Sequence, residues 1–151
     1  MAPVVKTVGI DPGITGALAF MSEGELLACY DMPTTKTRTG KNQVSGNLLA
    51  ETLRAERPDH AKLEQVAARP GQGVTSMFNF GMGYGTVIGV LASLGIPYEL
   101  VTPQAWKKAA GLVGADKDYA RTKALQLYPD AELSRKKDIG RADAILIARY
   151  G

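Results

Sequence analysis

Cysteine and histidine are nearly absent from this chain, with Cys29 and His60 as the only ones among 151 residues. A single cysteine excludes an intramolecular disulfide and a cysteine metal cluster. His60 has no second ligand at metal-binding spacing, so we interpret it as a surface histidine or as the start of a strand. No Ser-His-Asp set and no Walker-type glycine-rich loop is recognisable, so neither of these chemistries competes with one based on carboxylates.

A secretory signal is also missing, because Met1-Ala2-Pro3 leads directly into an apolar run. This predicts a cytoplasmic location. The length suits a single domain over residues 1–151, and 45% hydrophobic with 22% charged residues is typical of a globular protein. No internal repeat or low-complexity tract is evident.

The excess of positive charge is small and unevenly distributed. The net charge is +3; residues 1–102 carry 8 Lys/Arg against 9 Asp/Glu, and residues 103–151 carry 10 against 6. A basic C-terminal third suits a polyanionic partner such as nucleic acid, although a solvated helical surface has the same composition.

The first apolar run of the chain ends at a carboxylate, Asp11. Pro12-Gly13 follows, and then a second apolar run from Ala17 to Met21, which predicts two strands joined by a tight turn. A third strand is predicted over Glu25 to Asp31. At the end of a buried strand Asp11 requires a partner, such as a metal ion, unless it only caps the turn.

Beyond this meander, strands alternate with helices. Strands are predicted over 60–66 and 98–101, and helices over 45–56, 75–94, 102–110, 117–127 and 138–150. The predicted fold class is therefore α/β, a five-stranded mixed sheet flanked by helices. It combines a three-strand antiparallel meander with two parallel strands.

Two segments have unusual composition. Residues 32–43 contain three bases, the breakers Pro33 and Gly40 and no apolar periodicity, so we predict a flexible basic loop that is solvated or contacts phosphates.

The helix over 75–94 carries small residues four apart, which allow another backbone to approach. Its apolar length suits a membrane span, but Asn79 and four glycines argue against one. We predict that it packs on the sheet or at a dimer interface, without membrane contact.

Carboxylates occupy the places where such a fold brings residues together. The carboxyl ends of parallel neighbouring strands lie side by side, so Asp11 and Glu64 are expected to meet. Asp143 lies on an otherwise apolar helix, where a charge requires a partner, and Asp138 precedes it. Oxygen ligands suit Mg²⁺ or Mn²⁺, and two such ions about 4 Å apart support phosphodiester cleavage.

Three motifs in this order resemble the RuvC family of Holliday junction resolvases. They are Gly9-Ile10-Asp11-Pro12-Gly13 with Thr15-Gly16, then Leu63-Glu64-Gln65-Val66, then Ala142-Asp143-Ala144. The last motif, read from Gly140, is similar to that of compact phage members. The resemblance spans nearly the whole chain and implies an RNase H-like fold in a bacterial or phage-infected cytoplasm. It also implies a Mg²⁺-dependent endonuclease that cuts branched DNA (four-way junctions, flaps or forks) in recombination and repair. Since one active site cuts one strand, a homodimer is expected.

The resemblance also assigns site residues. It places metal-binding catalytic carboxylates at Asp11, Glu64 and Asp143. Bacterial members have a fourth acid three residues before the last one, where this chain has Gly140; Asp138 is the available substitute, or else an N-cap. Asp138 and Asp143 would be about 140° apart around a helix, so Asp138 must precede the helix to contribute.

Basic residues complete the predicted site. Lys107 and Lys117 lie where resolvases of this type carry DNA-contacting or catalytic lysines, with ordinary exposed helix lysines as the alternative. The predicted DNA-binding set is Lys36, Arg38, Lys41, Lys107, Lys108, Lys117 and Arg121, with Lys117 also assigned to catalysis. Bacterial relatives place an aromatic wedge where this chain has Ala67; Phe78 or Phe80 could replace it, but both are expected in the core.

Two other functions are compatible with these patterns. One is a junction-binding protein without cleavage, against which the three acids argue. The other is an actin-like nucleotide-binding ATPase, whose first hairpin resembles Gly9-Ile10-Asp11. Such ATPases need two like domains around the nucleotide, and 151 residues supply one.

Overall fold

The structure is a computed structural model that describes residues 4–151, so Met1-Ala2-Pro3 lies outside the described residues. Its elements in chain order are β1 (Lys6–Asp11), β2 (Ala17–Ser22), β3 (Glu25–Asp31), β4 (Thr34–Lys36), β5 (Asn42–Val44), α1 (Gly46–Glu56), β6 (His60–Glu64), α2 (Val74–Ser93), β7 (Tyr98–Val101), α3 (Pro103–Ala110), α4 (Tyr119–Leu127) and α5 (Ile139–Tyr150). A single 3-10 turn, Lys136–Asp138, leads into α5.

The main sheet has the strand order β3-β2-β1-β6-β7. Neighbours in the β1–β2–β3 meander pair antiparallel, whereas β6 pairs parallel with both β1 and β7. This confirms the predicted mixed sheet of five strands. His60 begins β6, as predicted.

Helices cover both faces of this sheet because its strands are buried on both sides. Val8, Ile10 and Leu63 pack with residues of α1 and α2 on one face. On the other face, Ala17 and Ala19 pack with α5 and with residues of α3 and α4, including Trp106. Successive strand residues point to opposite faces, so each strand divides its side chains between the two cores.

Helix α5 lies directly on β1, and a glycine permits this contact. A methyl group at Gly9 would overlap the Ala144 carbonyl oxygen and would lie 2.6 Å from the Ala148 amide nitrogen. Backbone therefore touches backbone where α5 crosses the strand that carries Asp11. Because Gly9 and Asp11 are two residues apart, they project to this same α5 face.

The segment predicted as a flexible loop contains a β-hairpin, so that prediction is wrong. Its strands β4 and β5 pair antiparallel, with Thr34 opposite Val44 and Lys36 opposite Asn42. Threonine and valine favour extended backbone, and Gly40 supplies the positive φ of 83° that the turn needs. A short run of this kind lacks apolar periodicity because few of its residues reach the core.

Helix α2 is more exposed than the sequence predicts. Its inner side is buried at Val87 and Leu91, yet Phe78 and Phe80 are 66% and 36% exposed rather than in the core. A side chain added at Gly81, Gly85 or Gly89 would meet no other described atom within 4 Å, so these glycines do not pack on the sheet. Within residues 4–151, α2 alone has the length and mean hydropathy (1.2) of a membrane-spanning helix.

Candidate active site

Two carboxylates end adjacent parallel strands at the same edge of the sheet. Ile10 of β1 is opposite Leu63 of β6, and the next residues, Asp11 and Glu64, are the last of their strands. Glu64 shares a face with Lys62, whose Nζ donates to the Ala148 carbonyl of α5 at 3.3 Å. Both carboxylates therefore project from the sheet on the side that α5 covers.

The third carboxylate, Asp143, comes from the first half of α5, between the buried Ala142 and Ala144. Burial raises the pKa of Asp143 to about 7; the negative charge of Glu64 adds to this effect, and Lys107 and Lys117 oppose it. Burial also raises the pKa of Asp11 well above its usual value, with further contributions from Asp143 and Glu64. The three acids therefore form one electrostatic group, which we call the acidic cluster.

An indole from α3 holds Glu64 in place. The Trp106 Nε1 donates to Glu64 Oε2 at 2.7 Å, and Trp106 is only 1% exposed. Burial raises the pKa of Glu64, while this hydrogen bond and the charges of Lys107 and Arg69 oppose the increase. Sequence reasoning assigned no site role to Trp106. Two features of the sequence could have identified Trp106. A buried indole N–H needs a hydrogen-bond acceptor, and Trp106 lies on the helix that also carries Lys107.

Lys107 is the cation that all three acids share. It is exposed on α3, with its Nζ 5.6 Å from the centre of the Trp106 ring, and its charge lowers the pKa values of Asp11, Glu64 and Asp143. Lys117 is also exposed and acts on Asp143. The structure thus brings both predicted lysines to the acidic cluster, and Lys108 lies exposed beside Lys107 on the same helix.

The remaining predicted DNA-binding residues divide into two groups. Lys36, Arg38 and Lys41 belong to the β4–β5 hairpin and its turn. Arg121 instead pairs with Asp118 at 3.1 Å and donates to three backbone carbonyls of the segment 133–135. Its guanidinium therefore binds the backbone of this protein segment, whereas the sequence predicted that it contacts DNA.

Asp138 lies in a different ionic network. Its Oδ2 accepts from the Arg135 backbone amide at 2.8 Å, and its Oδ1 accepts from Arg135 Nε at 2.9 Å. Burial alone would raise the pKa of Asp138, but these hydrogen bonds and the charge of Arg141 lower it overall. Asp31 also pairs with both arginines, so the four residues form one ionic network. Both oxygens of Asp138 are thus engaged. Asp138 occupies the N-cap position of α5, but its side chain accepts no hydrogen bond from that helix and instead closes the 3-10 turn that begins after Arg135.

The position of the family's fourth acid has no room for a side chain. A methyl group at Gly140 would overlap the Thr15 carbonyl oxygen and would lie 3.3 Å from the Gly16 Cα. The start of α5 therefore rests directly on the β1–β2 turn, which is the turn that follows Asp11.

The donor set of the acidic cluster fits a divalent cation. Within residues 4–151, no three His, Cys, Asp or Glu side chains already converge at metal-binding distance. The charge of Glu64 nevertheless raises the pKa of both Asp11 and Asp143, and Asp143 also raises that of Asp11, so gathering the three as carboxylates calls for positive charge beyond that of Lys107. Carboxylate oxygens without nitrogen or sulfur ligands are typical of Mg²⁺ and Mn²⁺ sites.

Solved structures with a similar fold were found. Thermus thermophilus RuvC in complex with a Holliday junction substrate superposes with a TM-score of 0.65 at 20% identity, covering 95% of this chain and 90% of that one. The yeast mitochondrial Holliday junction resolvase superposes with a TM-score of 0.55 at 17% identity, covering 98% of this chain and 78% of that one. The fold is thus RNase H-like, as the resemblance implied.

Curated relatives were found as well, whereas no family model matches. The chloroplastic Holliday junction resolvase of Chlamydomonas reinhardtii is 28% identical over 147 residues, which cover 80% of this chain and 17% of that protein. The crossover junction endodeoxyribonuclease RuvC of Nitratidesulfovibrio vulgaris is 32% identical over 143 residues, which cover 88% of this chain and 85% of that protein. With its three acidic motifs gathered at one edge of the same fold, the chain belongs to the RuvC family.

Proposed function

We propose that this protein is a metal-dependent endonuclease that cleaves four-way DNA junctions. The observation that carries the proposal is the acidic cluster of Asp11, Glu64 and Asp143 with Lys107 beside it. The names of the relatives support it, since each relative described above is a crossover junction endonuclease or a Holliday junction resolvase. Flaps and forks are further branched substrates that the same chemistry would accept.

Asp11, Glu64 and Asp143 would hold the metal. When bound, two Mg²⁺ ions (with Mn²⁺ as a substitute) would supply an activated water and stabilise the leaving oxygen. We do not include Asp138 among the ligands, because Arg135 engages both of its oxygens. We propose instead that Asp138 positions the start of α5, the helix that presents Asp143.

The neighbouring side chains have separate tasks in this proposal. Trp106 restricts the rotation of Glu64 through its hydrogen bond. The charges of Lys107 and Lys117 would bind the phosphate that approaches the acids, and in the absence of DNA they reduce the mutual repulsion of the cluster. Gly13 and Gly16 let the chain turn tightly after Asp11, because Gly13 has a φ of 122° and a Cβ at Gly16 would overlap the Asp11 carbonyl oxygen.

Matched DNA substrates test this proposal. A synthetic four-way junction, a flap and a linear duplex of the same sequence are incubated with the protein in Mg²⁺ and, separately, in Mn²⁺. We expect paired nicks in the junction, slower cleavage of the flap and an intact linear duplex. Junction binding without cleavage in either metal would support a binding protein instead, and equal cleavage of all three substrates would contradict junction selectivity.

We further propose that the protein acts as a homodimer through the outer stripe of α2. This stripe consists of the exposed residues Val74, Phe78, Gly81, Met82, Gly85, Gly89 and Ala92. No residue of Val74–Ser93 is charged. The adjacent edge strand β7 extends the apolar surface with Tyr98 and Leu100, which are 38% and 47% exposed. A second copy would cover this surface and supply the second active site that symmetric resolution needs.

A charge placed in the stripe is expected to abolish dimer formation. In Phe78→Glu the carboxylate would have to lose its water on association, so we expect a monomer in analytical ultracentrifugation where the parent protein is a dimer. Val113→Glu is the matched control, because Val113 is 72% exposed and lies outside the stripe. A dimeric Phe78→Glu protein, or a monomeric parent, would contradict this interface.

A further inference from the structure

The β4–β5 hairpin has a fixed backbone at its tip. The Thr37 amide donates to the Lys41 carbonyl at 2.7 Å, and the Gly40 amide donates to the Thr37 carbonyl at 2.9 Å. The hydroxyls of Thr37 and Thr39 are 3.0 Å apart, and the first of them also accepts from the Lys41 amide at 3.1 Å. The tip therefore presents its side chains from a defined turn.

The charges of this hairpin have one sign. No Asp or Glu occurs between Asp31 and Glu51, while Lys36, Arg38 and Lys41 are all basic. Elsewhere in the described chain, bases such as Lys6, Arg121, Arg135 and Arg141 pair with carboxylates. No ion pair in residues 4–151 involves the three hairpin cations, so they are available to a polyanion.

The root of the hairpin lies at the catalytic edge of the sheet. The Met32 amide donates to the Gly16 carbonyl at 2.9 Å, in the turn that follows Asp11. The Ser45 amide donates to the Pro33 carbonyl at 2.9 Å, and Val44, which is 8% exposed, packs beside Gly83 of α2. Backbone hydrogen bonds and a buried side chain thus connect the basic tip to the β1–β2 turn.

The length of the hairpin sets the place where its tip can touch DNA. The tip at Arg38 is five residues from Pro33, and an extended strand rises about 3.3 Å per residue, so the tip lies at most about 17 Å from Pro33. In B-form DNA this distance corresponds to about five base pairs at about 3.4 Å each. The tip hydroxyls of Thr37 and Thr39 can donate to phosphate oxygens, as such side chains commonly do.

We propose that the β4–β5 hairpin grips the phosphate backbone of one duplex arm of the substrate, about five base pairs from the scissile phosphate. This inference rests on the proposed junction-cleaving function. The contact is to phosphate and so carries no sequence preference; it selects substrates that have a duplex arm on the hairpin side of the active site.

A double-mutant cycle tests this contact by removing charge from the hairpin, from the DNA backbone, or from both. The hairpin variant is Arg38→Gln with Lys41→Gln, and the matched control is Arg54→Gln with Arg57→Asn, which removes two exposed charges from the end of α1. Asparagine suits position 57 because its φ is 51°. Each protein is titrated with a junction of ordinary backbone, and with one that carries neutral methylphosphonates about five base pairs from the cleavage site.

We expect the hairpin variant to bind the ordinary junction at least about tenfold more weakly than the parent, and to lower the slope of log K against log salt by about 1.8, for two lost contacts. The neutral linkages should weaken binding by the parent and the control but leave the hairpin variant unaffected. Arg38→Lys with Lys41 retained should bind like the parent, because it keeps both positive charges of the tip.

Two kinds of failure are distinguishable in this experiment. If the parent cleaves the junction but the hairpin variant binds it with the affinity and salt slope of the control, the proposed hairpin contact is wrong and the proposed function stands. An equal loss of affinity on the neutral linkages for parent and hairpin variant would also contradict the grip. If the parent cleaves no branched DNA in Mg²⁺ or Mn²⁺, the proposed function itself fails.

Discussion

Asp11→Asn is expected to abolish junction cleavage and, at the same time, to make the metal-free protein more stable. Asparagine keeps the size of the side chain but supplies one neutral oxygen where the proposed metal site needs a carboxylate, so the rate should fall by about 10⁴-fold. The stability should rise because Asp11 has a raised pKa in the folded state, which means that its ionised form disfavours folding near neutral pH. Each kcal/mol gained should raise the melting temperature by about 2–4 °C.

The same change at Asp138 is expected to have the opposite effect on stability. The pKa of Asp138 is lowered by its hydrogen bonds with Arg135, so its charge stabilises the fold. Asp138→Asn would weaken two charge-assisted hydrogen bonds, at a cost of about 1.5–3 kcal/mol. Opposite shifts of the melting temperature in EDTA would separate the acidic cluster from the ionic network without any activity measurement.

Metal titration adds a second measurement to this pair. A ligand that binds only the folded state raises the melting temperature, and the rise increases with its affinity. Mn²⁺ should therefore stabilise the parent and Asp138→Asn but have little effect on Asp11→Asn. If Mn²⁺ stabilised Asp11→Asn as much as the parent, or if Asp138→Asn lost the response, the proposed ligand set would be wrong.

Gly140→Asp is expected to lower both stability and activity, although it places an acid at the position where bacterial relatives have one. A Cβ at residue 140 would overlap the Thr15 carbonyl, which is backbone and cannot rotate away. Either α5 or the β1–β2 turn must move, at a cost of about 1–3 kcal/mol. The movement would displace Asp143 relative to Asp11, so we expect a slower reaction as well as a lower melting temperature.

Gly140→Ala serves as the control for this change, because it adds the Cβ without the carboxylate. If the overlap is responsible, both variants should lose a similar amount of stability in urea denaturation, and neither should cleave at the parent rate. Higher activity of Gly140→Asp than of the parent would contradict this view, since it would mean that position 140 can contribute a fourth ligand.

Local sequence patterns were sufficient to predict where the three acids of the site lie. An apolar run that stops at a carboxylate places Asp11 at the end of a strand, and the strand–helix–strand order makes β6 parallel to β1, so Glu64 arrives beside it. Asp143 was recognisable as a charge on an apolar helix. These inferences depend on the period of two in strands and on chain connectivity, which the sequence contains directly.

Only the tertiary structure decided which partners the other residues have. Asp138 was predicted to bind metal together with Asp143, but its side chain forms hydrogen bonds with Arg135 instead. The same arginine pairs with Asp31, which is 104 positions away along the chain. Trp106 reaches Glu64 across 42 positions, and Phe78 lies outside because nothing described covers that side of α2. The sequence by itself determined the five strands of the main sheet and the three acids, because these depend on neighbours along the chain; the β4–β5 hairpin and the end of β6 at Glu64, predicted at residue 66, came only from the structure. Ion pairs, close glycine contacts and exposed faces depend on how distant segments pack, and no local pattern contains that information.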